Sequence, residues 1–277
     1  MDITQHIIRH NVSALYAMLY EPSAEATASI VFCNPMFEER KSTNRAMTEY
    51  ATFLCSKGFQ VLSFDYSGCG DSSGNFEDFS MNDWLADITA ACSFLKNKSA
   101  NSPLGLFGLR FGGSLALQYT KELPPCDFII AWEAIISGKD YVEQQLRKKL
   151  MKEMITFSKN HGTRAALLEQ LHNGESIDLD GYALTPEIYN DLCRIDLMNA
   201  PYPETPCLFL HINHTNDPAK RVTSLNDLWS SRKNIEFATI QMQPFWNLIG
   251  HVDCADAIKN THEWLNKILM IDNEQAH

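Results

Sequence analysis

From about residue 28 onward, short apolar runs alternate with longer amphipathic stretches, and this rhythm constrains the fold of the 277-residue chain more than any other feature. Ser29 to Cys33 reads as a strand, Arg45 to Ser56 as an amphipathic helix closed by Gly58, and Phe59 to Phe64 as the next strand. Asp83 to Leu95 is again helical, followed by a strand at Leu104 to Phe107, a helix at Phe111 to Tyr119 and a strand at Asp127 to Trp132. Strands that read as unbroken apolar runs are covered on both faces, which predicts an α/β architecture with a mostly parallel central sheet flanked by helices. Two earlier segments, Gln5 to Arg9 and Leu15 to Leu19, predict an antiparallel hairpin at the sheet edge. The rhythm breaks between about 137 and 200, where Tyr141 to Ile155 and Thr163 to Leu171 are helical with no intervening strand signal. Strand character resumes at Cys207 to Ile212 and Ile235 to Gln241, and an amphipathic helix from Ala255 to Leu269 follows. The expected layout is a core of residues 1–136 and 201–277 interrupted by a helical cap, 137–200.

The strand-turn-helix Leu104-Gly-Leu-Phe-Gly-Leu-Arg-Phe-Gly-Gly-Ser114 carries the glycines of a nucleophile elbow. Gly108 and Gly112 lack side chains, so the turn can be sharp enough to lift its middle residue above the sheet, as in the α/β-hydrolase fold. That residue is Arg110. A guanidinium stays protonated and offers no lone pair, so it cannot attack a carbonyl. The other triad positions are filled in the order this fold demands: Asp217 in the loop after the strand Leu208 to Ile212, and His251 before the last helix. Such an Asp–His pair fixes the imidazole tautomer and readies it as a general base. An oxyanion hole would take one backbone N–H from Met36 or Phe37 and a second from Phe111.

Three acidic positions bear on Arg110. The run Glu38-Glu39-Arg40-Lys41 reads as a solvated helix start with carboxylates at the positive dipole end, or as placing Glu38 or Glu39 inward at Arg110. Glu133, at the end of the strand Phe128 to Trp132, stands where side chains face the crevice and is a candidate ion partner, or simply begins the loop into the cap. Ser114 and the serines of the loop Asp65-Tyr-Ser-Gly-Cys-Gly-Asp-Ser-Ser-Gly74 read as packing and turn residues.

Acidic residues outnumber basic ones, 34 to 23, for a formal charge of -11. Nucleic acid and anionic membrane surfaces both require basic patches, so small molecules or proteins are the expected partners, with a homodimer compatible. Eight cysteines without a CxxC pair, no signal-peptide pattern and no apolar run of spanning length predict reduced thiols in a cytoplasmic protein. No cofactor is expected: there is no phosphate-binding loop, and His211 and His214 lack further ligands at metal-site spacing.

The combination Asn34-Pro-Met-Phe-Glu-Glu-Arg-Lys-Ser42, Phe64-Asp-Tyr-Ser-Gly-Cys-Gly-Asp-Ser-Ser-Gly74, Gly108-Leu-Arg-Phe-Gly112, Trp132-Glu-Ala134 and Gly181-Tyr-Ala-Leu184 resembles the exosortase-A-system-associated hydrolases of the type with Arg in place of the elbow Ser. The resemblance covers most of the chain and implies an α/β-hydrolase fold in a bacterium, encoded beside exopolysaccharide or other biosynthetic genes. It supplies no reaction. Two readings stand. One is an enzyme without a covalent intermediate, in which His251, oriented by Asp217, activates water or takes a proton while Arg110 binds an anionic or acyl substrate. The other is a pseudo-hydrolase acting as a binding or scaffold protein. The presence of both Asp217 and His251 tilts the sequence toward the enzyme. A cysteine nucleophile, Cys33 or Cys69, is a third reading, although neither occupies the elbow.

Overall fold

The computed structural model describes residues 1–157, 162–215, 217–248 and 250–270. A hairpin of β1 (Asp2–His10) and β2 (Ser13–Glu21) leads into β3 (Ala28–Cys33), α1 (Glu38–Ser56), β4 (Phe59–Phe64) and a 3-10 turn at Phe76–Asp78. Then come α2 (Met81–Lys98), β5 (Leu104–Leu109), α3 (Phe111–Gln118) and β6 (Phe128–Trp132). The chain next leaves the sheet for α4 (Gly138–Phe157), α5 (Arg164–His172), the short strands β7 (Ile177–Leu179) and β8 (Tyr182–Leu184), and α6 (Pro186–Cys193). It returns as β9 (Cys207–Asn213), α7 (Lys220–Trp229), β10 (Ile235–Gln241) and α8 (Ala255–Ile268).

The eight-stranded sheet has the order β1-β2-β4-β3-β5-β6-β9-β10, antiparallel at β1–β2 and β2–β4 and parallel elsewhere. This is the α/β-hydrolase fold. Its central strands read as continuous apolar runs because successive residues enter different cores. In β3, Ile30 and Phe32 pack with Tyr50 and Leu54 of α1, while Val31 and Cys33 join the core containing Trp84 and Ile88 of α2. No helix among the described residues is long and apolar enough to cross a membrane.

The segment between β6 and β9 differs from expectation in one element. β7 and β8 form a hairpin joined by Asp180 and Gly181, with φ of 55° and 93°. Asp-Gly with both residues at positive φ makes the turn whose twist matches a two-residue hairpin. The Asp178 carboxylate closes it by accepting the Gly181 N–H at 2.9 Å.

A buried carboxylate fixes the glycine-rich loop. Asp87 of α2 is 1% exposed and accepts the Ser67 N–H at 2.8 Å and the Ser67 hydroxyl at 2.9 Å. Burial outweighs these bonds and pushes its pKa from an ordinary 3.8 up to about 6. The folded state therefore holds this proton more tightly than the unfolded chain. The stability from Asp87 is present in full below about pH 4 and is lost as pH rises through about 6. Asp87→Asn should flatten that part of the stability profile, read from denaturant midpoints between pH 4 and 7.

Candidate active site

Three non-glycine residues at positive φ surround the C-terminal ends of the central strands: Phe37 (57°), Arg110 (54°) and Glu133 (45°). Each such position costs on the order of 1–3 kcal/mol, so the surrounding structure must hold it. At the elbow, the Arg110 N–H bonds the Trp132 carbonyl at 3.0 Å. A Cβ at Gly112 would meet the Cys33 carbonyl oxygen at 2.0 Å, which explains the glycine there. Ser114 is fully buried, and its hydroxyl accepts the Ile135 N–H at 2.7 Å, tying α3 to the exit of β6.

Arg110 lies in the crevice with its side chain 10% exposed. Its Nε donates to Glu39 Oε2 at 3.3 Å and its Nη1 to the Glu133 backbone carbonyl at 3.4 Å. The guanidinium carbon stands 4.8 Å from the ring centre of Trp246 and 5.6 Å from that of Tyr141. Burial is the largest influence on Arg110 and opposes its charge, but the Glu39 and Glu133 carboxylates outweigh it and raise the pKa. The other Glu39 oxygen takes the Gln145 amide at 3.3 Å and lies 3.8 Å from the Lys148 ammonium. Burial lowers the Lys148 pKa, against the pull of Glu39.

The acidic run thus divides. Glu38 is the solvated helix start, paired with Lys41 at 2.6 Å, whereas Glu39 is 1% exposed and turned onto Arg110. Glu133 meets Arg110 through its carbonyl, not its carboxylate. The carboxylate instead accepts the Ile212 N–H at 2.8 Å and lies 2.6 Å from His211 Nδ1. His211 Nε2 accepts the Ala219 N–H at 3.2 Å, which leaves Nδ1 to donate to Glu133. Both ring nitrogens are then engaged.

Asp217 and His251 do not meet. His251 is exposed and its Nε2 lies 3.2 Å from Glu49 of α1, while Asp217 is exposed and its carbonyl oxygen accepts from Asn213 at 2.9 Å. Among the described residues no hydrogen bond or ion pair joins them. Glu49 is ten residues beyond Glu39, roughly 15 Å along the helix axis, so the imidazole is held well away from the elbow. Met36 and Phe37 are buried where β3 passes into α1. Phe111 opens α3, where first-turn N–H groups lack intrahelical acceptors. The start of α3 lies against the end of β3, where a Cβ at Gly112 would meet the Cys33 and Asn34 carbonyl oxygens at 2.0 and 2.9 Å. Burial pushes the Cys69 thiol up to about 12 and the Cys33 thiol well above its ordinary range, which starves both of thiolate.

Two small pockets flank the pair. Arg110 borders one of about 180 Å³, with Glu133, Asp140, Tyr141 and Arg221, and Glu39 borders another of about 220 Å³, with Gln145, Lys148 and Lys152. Among the described residues no histidine lines either. Tyr141, Trp246 and His211 belong to the site without having been expected there. Tyr141 lies in the first turn of α4, a position that could have signalled it, whereas nothing in the local sequence marks Trp246.

Residues 24–196 match the family model of the serine aminopeptidase S33 hydrolases, and the chain belongs to this family. Among solved structures it is similar to ferulic acid-bound Est1E of Butyrivibrio proteoclasticus, at 17% identity over 96% of this chain and 99% of that one, with a TM-score of 0.67. An esterase of Pyrococcus furiosus gives 15% identity, coverage of 97% and 91%, and a TM-score of 0.67. A soluble variant of the Saccharomyces cerevisiae monoglyceride lipase gives 14%, 95% and 94%, and 0.63. These likenesses establish the fold. No curated protein matches the sequence.

Removing one partner of a buried ion pair strands the other charge at a cost of about 3–5 kcal/mol. Glu39→Leu should destabilise on that scale in urea unfolding. The double variant Glu39→Leu/Arg110→Met should be more stable than Glu39→Leu alone.

Proposed function

We propose that this protein is a pseudo-hydrolase, a binding or scaffold protein whose reaction centre is closed by the Arg110–Glu39 ion pair. The observation that carries this reading is the guanidinium itself, buried at the elbow, bonded to a buried carboxylate and covered by Tyr141 and Trp246. Removing the serine from a triad enzyme costs about a millionfold in turnover, so the covalent route is closed. The separation of Asp217 from His251 removes the argument that tilted the sequence toward an enzyme. The thiols are no substitute. The pocket of about 180 Å³ is below the roughly 300–1,000 Å³ of ordinary ligand sites, so its occupant would be a compact group. With the resemblance to exosortase-associated proteins, the reading is of a cytoplasmic bacterial protein that binds a small acyl or anionic compound of a biosynthetic pathway.

One observation favours acid–base catalysis as a second reading. Glu133, held at positive φ with its carboxylate anchored by His211 and Ile212, borders the same pocket as Arg110. In that reading Glu133, not His251, is the base.

A fluorophosphonate probe should label no residue of the folded protein, and labelling of any serine would sink the pseudo-hydrolase reading. Arg110→Ser should gain no p-nitrophenyl acetate hydrolysis, because His251 is held at Glu49 and both ring nitrogens of His211 are engaged, by Glu133 and Ala219. An acyl-enzyme burst in that variant would overturn the account of the site.

A further inference from the structure

Among the described residues the sheet is open at β1, its terminal strand, which is hydrogen-bonded to β2 along one edge. Proteins protect exposed edges with lysines, prolines or bulges. β1 has no lysine and no proline, and its pairing with β2 runs unbroken from Asp2↔Glu21 to His10↔Ser13. Nine residues of regular strand therefore present their outer row of N–H and C=O groups. On one face of that strand, Ile3 and Ile7 are 43% and 51% exposed. Beside the edge runs a groove of about 740 Å³ between β1 and α2, with Ile7, Ile8, Leu85, Ala86, Ala90 and Phe94 in its walls. Among the described residues, Arg9, His10 and Glu122 are the ionisable ones lining it. On a chain of formal charge -11, so few charges beside the edge let two copies approach with little repulsion along the groove side of the strand, Ile8 facing α2 while Ile3 and Ile7 stand on the opposite face.

We propose that this edge takes a second copy of the chain, β1 pairing antiparallel with the partner's β1 about a two-fold axis at Gln5. The position of the isoleucines argues for this occupant. Ile3 and Ile7 are symmetric about Gln5, so the two-fold axis sets Ile3 opposite the partner's Ile7 and Ile7 opposite the partner's Ile3. The exposed apolar side chains of the edge then cover one another, and the Gln5 amides meet across the axis. The nearest same-face registers lose this match, setting the isoleucines against Arg9 and Gln5, or against Gln5 and Met1.

Sedimentation equilibrium on the full chain, across low to high micromolar concentrations, tests the proposal. The wild type should show a monomer–dimer equilibrium, and Ile7→Lys should weaken the dimer by about tenfold or more. The double variant Ile3→Lys/Ile7→Glu sets opposite charges face to face in this register and should recover dimer relative to either single change. Circular dichroism melts confirm that each variant is folded. A wild type that stays monomeric overturns the proposal and leaves the edge bare or to a different partner. A dimer indifferent to Ile7→Lys, or a folded double variant without recovery, overturns it as well by placing the contact elsewhere or in another register.

Discussion

A guanidinium taken out of water must find a carboxylate, and the arrangement around the elbow answers to that need. Arg110 is lifted by the turn between β5 and α3 into the space where this fold does its chemistry. Glu39 meets it from the first turn of α1. Glu39 in turn is served by Gln145 and Lys148 of α4, so one interaction links the sheet, a core helix and the first helix after β6. The aromatic faces of Tyr141 and Trp246 complete the enclosure, giving the cation a favourable quadrupole where water would otherwise be.

The shape of the site has not followed its chemistry. Phe37, Arg110 and Glu133 hold left-handed backbone conformations at the ends of three neighbouring strands, and such strain is expected where a fold presents functional groups. Here one of those turns carries the Arg110 guanidinium, paired with Glu39. Fold and function separate at this point: the family and the structural neighbours establish the scaffold, and the side chains standing on it decide what it can do.

Much of the architecture was legible in the sequence because its signals are local. Unbroken apolar strands reported burial on both faces, and Gly108 and Gly112 reported the tight elbow. The β7–β8 hairpin was missed although Asp180-Gly181 announced it, since its strands are only three residues long and sit among helical signals. The site was half legible. Arg110 and its three carboxylate candidates followed from chain position, but the bonding could not, because it depends on rotation about a few side-chain torsions. Glu39 turned inward while Glu38 turned out, and Glu133 gave its carboxylate to His211 and its carbonyl to Arg110. Asp217 and His251 stand in triad order along the chain, and order alone does not bring two loops together.

The contacts of α4 with the pair have a mechanical meaning. Tyr141, Gln145 and Lys148 recur at intervals of four and three residues, so they share one face of the helix, and that face is turned to Glu39 and Arg110. Lifting α4 would uncover the ring over the guanidinium and deprive the carboxylate of two of its three partners in a single movement. The helix is in effect latched by a buried charge, and screening by salt has little purchase on a latch of that kind.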